Sequence, residues 1–239
     1  MLRGITASAS GMITQTQRIN VLSNDLSNVD TPGFKRDDLT LTTFKDQLIY
    51  NLNTGTQIGT MSAGTMAGAE TTDLTQGSLD QTGLSTDLAL TSGGFFALQG
   101  TSGGTEYTRD GAFTVDAQGY LALSTGQRVL GENGPLQVGT DDFRVSSDGE
   151  VSVSGRTVGK LAVYNGTATK QADGLFTLTG ASRAQATVMQ GYLEGSNEDI
   201  VSAMTALMAS SRAYQSCQEA FKISDQSEQL AVNQVGSLK

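Results

Sequence analysis

From Leu2 to about Val29, apolar and small residues recur at alternating steps of three and four: Leu2, Ile5, Ala9, Met12, Thr16, Ile19, Ser23 and Leu26. That rhythm belongs to a helix that packs along one seam. Val21, Leu22 and Val29 widen the stripe, so more than one neighbour is expected. Asp30-Thr31-Pro32-Gly33 ends the helix, because proline lacks the amide hydrogen of the ladder and glycine opens the turn. The pattern predicts an N-terminal assembly helix over 1–30.

The next stretch loses this periodicity. Between Phe44 and Asp73 the chain is small and polar, with Asn51, Asn53, Gly55, Gly59, Gly64 and Gly68 among Thr and Ser. Residues 31–73 therefore read as a connector, flexible or ordered by a partner. From Leu74 to Gln190 the period shifts toward two and glycine punctuates it. Short strands are expected at Asp87-Leu88-Ala89-Leu90, Phe95-Phe96-Ala97-Leu98, Ala112-Phe113-Thr114-Val115, Tyr120-Leu121-Ala122-Leu123 and Gly159 to Tyr164. Asp110-Gly111, Gln118-Gly119, Thr125-Gly126, Asp148-Gly149 and Asn165-Gly166 read as turns between them. The segment 74–190 is thus a central antiparallel β domain built of hairpins.

A second helical pattern occupies 191–239, with Ser196 or Asn197 able to cap it and Glu198-Asp199 at the positive end of its dipole. Its expected seam runs Ile200, Met204, Leu207, Ser211, Tyr214, Gln218 and Phe221, with Met208, Ile223 and Leu230 adding apolar surface. From Asp199 to Gln234 such a helix would be about 50 Å long, far more than a lid for a small β domain needs. The fold class is α+β: long terminal helices pairing as a coiled-coil-like bundle, with the β domain between them.

Composition removes most chemistry. Histidine is absent and Cys217 is the single cysteine, which excludes histidine general acid–base catalysis, His or Cys zinc sites and an internal disulfide. Cys217 lies between Ser216 and Gln218 with no adjacent cation and reads as a packing thiol. The formal charge of −9 opposes nucleic-acid and anionic-lipid binding. Asp37-Asp38 and Asp141-Asp142 are the adjacent aspartate pairs, and neighbours in a strand point to opposite faces. No catalytic, cofactor or metal residue is assigned. The first residues lack a secretory h-region, and no run reaches the ~20 apolar residues of a membrane span.

Three blocks carry a family resemblance. Gln17 to Lys35, ending Leu22-Ser23-Asn24-Asp25-Leu26-Ser27-Asn28-Val29-Asp30-Thr31-Pro32-Gly33-Phe34-Lys35, is similar to the signature helix and turn of the flagellar rod and hook proteins, the axial proteins of the bacterial flagellum. Gly191-Tyr192-Leu193-Glu194-Gly195-Ser196-Asn197, followed by Arg212-Ala213-Tyr214, resembles their C-terminal blocks. In the middle, Thr75-Gln76-Gly77-Ser78-Leu79-Asp80, Gly94-Phe95-Phe96, Tyr107-Thr108-Arg109-Asp110-Gly111 and Val129-Leu130-Gly131 narrow the resemblance to rod proteins of the FlgF/FlgG type. Asp25, Leu84-Ser85-Thr86, Ser211, Cys217 and Glu219 depart from the family pattern.

The resemblance implies a structural subunit of the basal-body rod that polymerises through its terminal helices. Its partners would be copies of itself and other rod or hook subunits. It also implies delivery by the flagellar type III export apparatus without a cleaved signal, Phe44 to Leu48 resembling the short export-gate signal of early substrates. Two other readings are a hook-type axial subunit, which would carry larger inserted β domains, and a secreted cell-wall glycosidase using β-domain carboxylates.

Overall fold

A computed structural model describes residues 2–43, 47–50, 57–61, 64–100, 103–171, 174–185 and 187–236. The chain forms two compact units, one of residues 1–27, 37–71 and 199–239, the other of 28–36 and 72–198.

The first unit is built on two helices, α1 (Leu2–Ser27) and α2 (Ile200–Gly236). They run antiparallel. A methyl built on Gly4 would lie 3.3 Å from Ser224 Oγ, and one on Gly11 would lie 3.0 Å from Cys217 Sγ, so seven residues forward on α1 match seven back on α2. On α2 the covered positions include Ala203, Leu207, Ser210, Tyr214, Cys217, Phe221, Ser224 and Glu228, with Ala206, Ser211, Ala213 and Ala231 beside them. Small residues at these positions let the two backbones approach closely.

That geometry keeps most of the expected α1 seam and departs from part of the expected α2 seam. Thr16 and Ser23 are exposed on α1, whereas Thr14 and Asp25 are buried there; Ile5, Met12, Ile19, Leu22 and Leu26 are half-buried. The Leu2 side chain lies outside the described residues. Ile200, Met204 and Met208 face solvent, while Leu207, Tyr214 and Phe221 pack. On α2 apolarity picks out the packed Leu207, Tyr214 and Phe221 together with the exposed Ile200, Met204 and Met208, because the covered face takes in small Ala, Ser and Cys residues as well.

The start of α2 is also later than Gly191. Val188–Gln190 pairs with Leu88–Leu90, and Tyr192–Glu194 pairs with Leu79–Gln81, with Gly191 at φ +78 between the two strands. The cap is Asp199, whose carboxylate accepts the amides of Val201 (3.4 Å) and Ser202 (3.1 Å). Ser196 and Asn197 precede the helix and are used elsewhere.

Within 31–73 the structure places strands where the sequence suggested a connector. Asp37–Thr43 pairs with Thr65–Thr72, antiparallel, since Thr42 Oγ1 donates to the Met66 carbonyl and Thr71 Oγ1 to that of Asp38. Gln47–Tyr50 pairs with Gln57–Met61. Asp25 is tied to the first strand by accepting the Asp37 amide at 3.3 Å. Thr14 and Ser10 of α1 both bond the Thr65 backbone. Phe44 lies outside the described residues, as does the side chain of Leu48.

The second unit carries the hydrophobic core. Val163–Lys170, Leu175–Arg183, Thr105–Thr108 and Phe95–Gln99 close into a four-stranded barrel in that order. Phe95 to Leu98 is buried on both faces. Phe96 and Leu98 join Leu88, Phe113, Leu121, Val129, Phe143 and Val151, while Phe95 and Ala97 join Tyr107, Phe176 and Leu178. Phe96 meets Phe113 edge-to-face at 5.2 Å.

The turns at Gly119, Gly126 and Gly149 stand where the sequence puts them, each with positive φ. Asn165-Gly166 is not a turn: it lies inside Val163–Lys170 at a break in register, and the hairpin reverses farther on, near Gly174. Asp110-Gly111 is a close approach to Leu88 and lacks positive φ.

Candidate functional site

The two terminal family motifs meet in the second unit, around the carboxylate of Glu194. Gly33, at φ +68, turns the chain so that its amide donates to the Glu194 carbonyl at 2.7 Å. A methyl there would lie 2.4 Å from the backbone carbon of Arg109. Thr31 closes the preceding turn on Asn28, bonding its carbonyl and its side chain. Phe34 and Lys35 are then driven inward, and Lys35 is wholly enclosed.

Lys35 Nζ bonds Glu194 Oε1 and, at 2.7 Å, the Thr75 carbonyl. Arg109 Nη1 bonds Glu194 Oε2 at 2.7 Å, and the Gly77 amide donates to Oε1 at 3.3 Å. One buried carboxylate therefore holds two buried cations. Burial holds the Lys35 ammonium below its ordinary pKa, against the opposing pull of Glu194. On the other side of the turn, Lys170 Nζ donates to the Lys35 carbonyl at 2.6 Å and sits 3.9 Å from the Phe34 ring centroid.

A second clamp lies beside the first. The Arg36 amide donates to Asn197 Oδ1 at 2.9 Å, and Asn197 Nδ2 donates to the Asp73 carbonyl at 2.8 Å. The Thr75 amide and hydroxyl, with Arg36, hold the Asp73 carboxyl below the usual carboxylate range.

Of the motif residues, the structure brings Gly33, Phe34, Lys35, Glu194 and Asn197 into this cluster. Gly191 shapes the strand crossing nearby, with Leu193 and Ser196 half-buried in the same run; the Ser196 hydroxyl accepts the Glu198 amide. Asn24 and Arg212 are exposed on the helices, where Ala213 and Tyr214 pack. The cluster also contains Asp73 and Lys170, which sequence reasoning does not single out, and Arg109, which it names only within a longer block. The one signal for Arg109 is a cation next to the buried run Tyr107-Thr108.

Asp110, next to Arg109, accepts the Ala112 amide, yet burial and the nearby Asp87 raise its pKa. A raised folded-state value means that stability is lost as pH climbs from the unfolded value, about 3.9, through the folded one. Asp110→Asn keeps the acceptor and removes the charge. Its urea midpoint should exceed wild type at pH 7, and the gap should close below about pH 4. A gap independent of pH would refute the assignment.

No arrangement here points to catalysis: the carboxylate at its centre is saturated by cations and amides. The comparisons agree. Residues 5–35 match the family described as flagella basal body rod protein, 89–153 the flagellar hook protein FlgE/F/G D1 domain, and 189–234 the flagellar basal body rod FlgEFG protein C-terminal. Lys35, Arg109 and Glu194 fall one in each. The flagellar basal-body rod protein FlgF of Caulobacter vibrioides is 30% identical over 96% of this chain and 96% of its own length. FlgF of Escherichia coli is 31% identical over 87% and 88%, and FlgG of Bacillus subtilis 29% identical over 98% and 99%. Matched to these proteins almost from end to end, the chain belongs to the flagellar basal-body rod proteins of the FlgF/FlgG type and is a structural rod subunit, not an enzyme.

Proposed function

We propose that this subunit polymerises through α1 and α2, which pack in coiled-coil fashion with helices of adjacent rod or hook subunits, copies of itself included, into a periplasmic drive shaft that transmits torque. The carrying observation is the unused apolar surface of α2. Val201 is 71% exposed, Met204 50% and Met208 54%, and Ile200, Ile223, Leu230 and Val232 are exposed beside or beyond them. On α1, Ile13 is exposed as well. Apolar side chains left exposed along a helix of this length are suited to neighbouring helices. No helix among the described residues is long and apolar enough to cross a membrane.

In this reading the N-terminal 1–30 and C-terminal 191–239 segments are the assembly elements, 74–190 is the outer domain, and 31–73 adjusts between them. Phe44 and Leu48 would serve the type III export gate. The test is chromosomal deletion with microscopy of isolated basal bodies: a rod truncated at a fixed point is expected, and motile cells with a complete rod would refute the proposal. A sharper probe is Met204→Asp with Met208→Asp. Because both residues are exposed, the melting midpoint should stay within about 3 °C of wild type. Swimming should nevertheless be lost. A swimming double variant would remove α2 from the polymer contact.

A further inference from the structure

We infer that Lys35, Arg109 and Glu194, with the adjoining Asn197, form a latch that registers the two chain segments bordering the assembly helices, so that rod formation needs their polar pairing beyond its share in stability. The inference rests on the rod reading above.

Residues 28–36 follow α1 directly, and 194–198 lead into α2. Within the second unit these segments are joined by three directional links, Gly33 amide to Glu194 carbonyl, Lys35 to the Glu194 carboxylate and Arg36 amide to Asn197, and Asn197 reaches onward to Asp73. Arg109 holds the second oxygen of the same carboxylate, so Glu194 cannot rotate to follow a displaced partner. Apolar side chains at these positions would tolerate a slip. A slip of one residue in Tyr192–Glu194 would turn Glu194 to the other face of its strand. Carried into the next helix, one residue of slip turns the packing face by about 100°.

Stability alone does not account for the triad. Replacing a buried ion cluster by well-packed apolar residues of similar volume is often neutral or stabilising, and fixing register is the best-attested use of such clusters.

The deciding variant is the triple Lys35→Met, Arg109→Met, Glu194→Leu, introduced on the chromosome and also purified. Its melting midpoint is expected within about 5 °C of wild type. Its swimming is expected to be lost and its rods incomplete. A second variant, Asn197→Ala, removes only the half-buried clamp; its melting midpoint should fall by no more than about 5 °C, while the swimming ring shrinks at least twofold. A ring of wild-type size from either variant, once shown to be folded, overturns the latch. A swimming deletion strain would instead overturn the rod reading, so the two failures are distinct.

Discussion

Glu194→Gln should lower the unfolding free energy by about 3–5 kcal/mol, the cost of leaving a buried charge without its partner. The neutral amide still offers one oxygen to Lys35 or Arg109, but its NH2 group faces the other cation and repels it. Neither cation can reach water from its site: Lys35 is wholly enclosed and Arg109 almost so. The Gly77 amide would lose a charged acceptor as well. Urea unfolding at pH 7 measures the effect directly. Adding Lys35→Met should recover part of the loss by removing one of the two stranded cations, a coupling that independent sites would not show. A Glu194→Gln midpoint equal to wild type would mean that the carboxylate does not carry the pair.

What the sequence made legible, and what it hid, divides along the range of the interactions. The stop at Pro32-Gly33 and the turns at Gly119, Gly126 and Gly149 follow from local chemistry, and the structure keeps them. That both ends of the chain are helices was legible from their three-and-four rhythm. The covered face of α2 was legible only in part, because it takes in Ala203, Ser210 and Cys217, residues whose value lies in being small opposite a partner rather than in being apolar. The start of α2 was misread for a related reason. Tyr192 and Leu193 look like the first apolar turn of a helix until Leu79–Gln81, more than a hundred residues earlier, offers them a ladder.

The strands Asp37–Thr43 and Thr65–Thr72 bury no residue fully, and only the short run Leu39-Thr40-Leu41-Thr42 alternates apolar with polar positions, too little to mark a strand pair. The family resemblance named Lys35 and Glu194 as motif residues. That they bond each other across 159 residues of chain, and share the carboxylate with Arg109, is a product of the fold that no window of sequence contains.

Gly111→Ala is expected to be at least as damaging as the loss of Glu194, at about 4 kcal/mol or more, with a single methyl group as the cause. A Cβ at this position would lie 1.7 Å from the Leu88 carbonyl oxygen and 2.8 Å from the carbon that bears it. The obstacle is backbone, so no rotamer change relieves it. Leu88 cannot retreat either: it is fully buried in the main core, its amide donates to the Gly111 carbonyl at 3.1 Å, and Asp87 bridges Ala112 alongside. Gly126→Ala supplies the contrast. That residue has φ +90 with open space around it, so an alanine there meets backbone strain alone, about 1–2 kcal/mol. Urea midpoints of the two variants should therefore differ widely although both exchange glycine for alanine. Similar midpoints would show that conformational preference, and not the close approach of two strands beneath Arg109, is what requires glycine at 111.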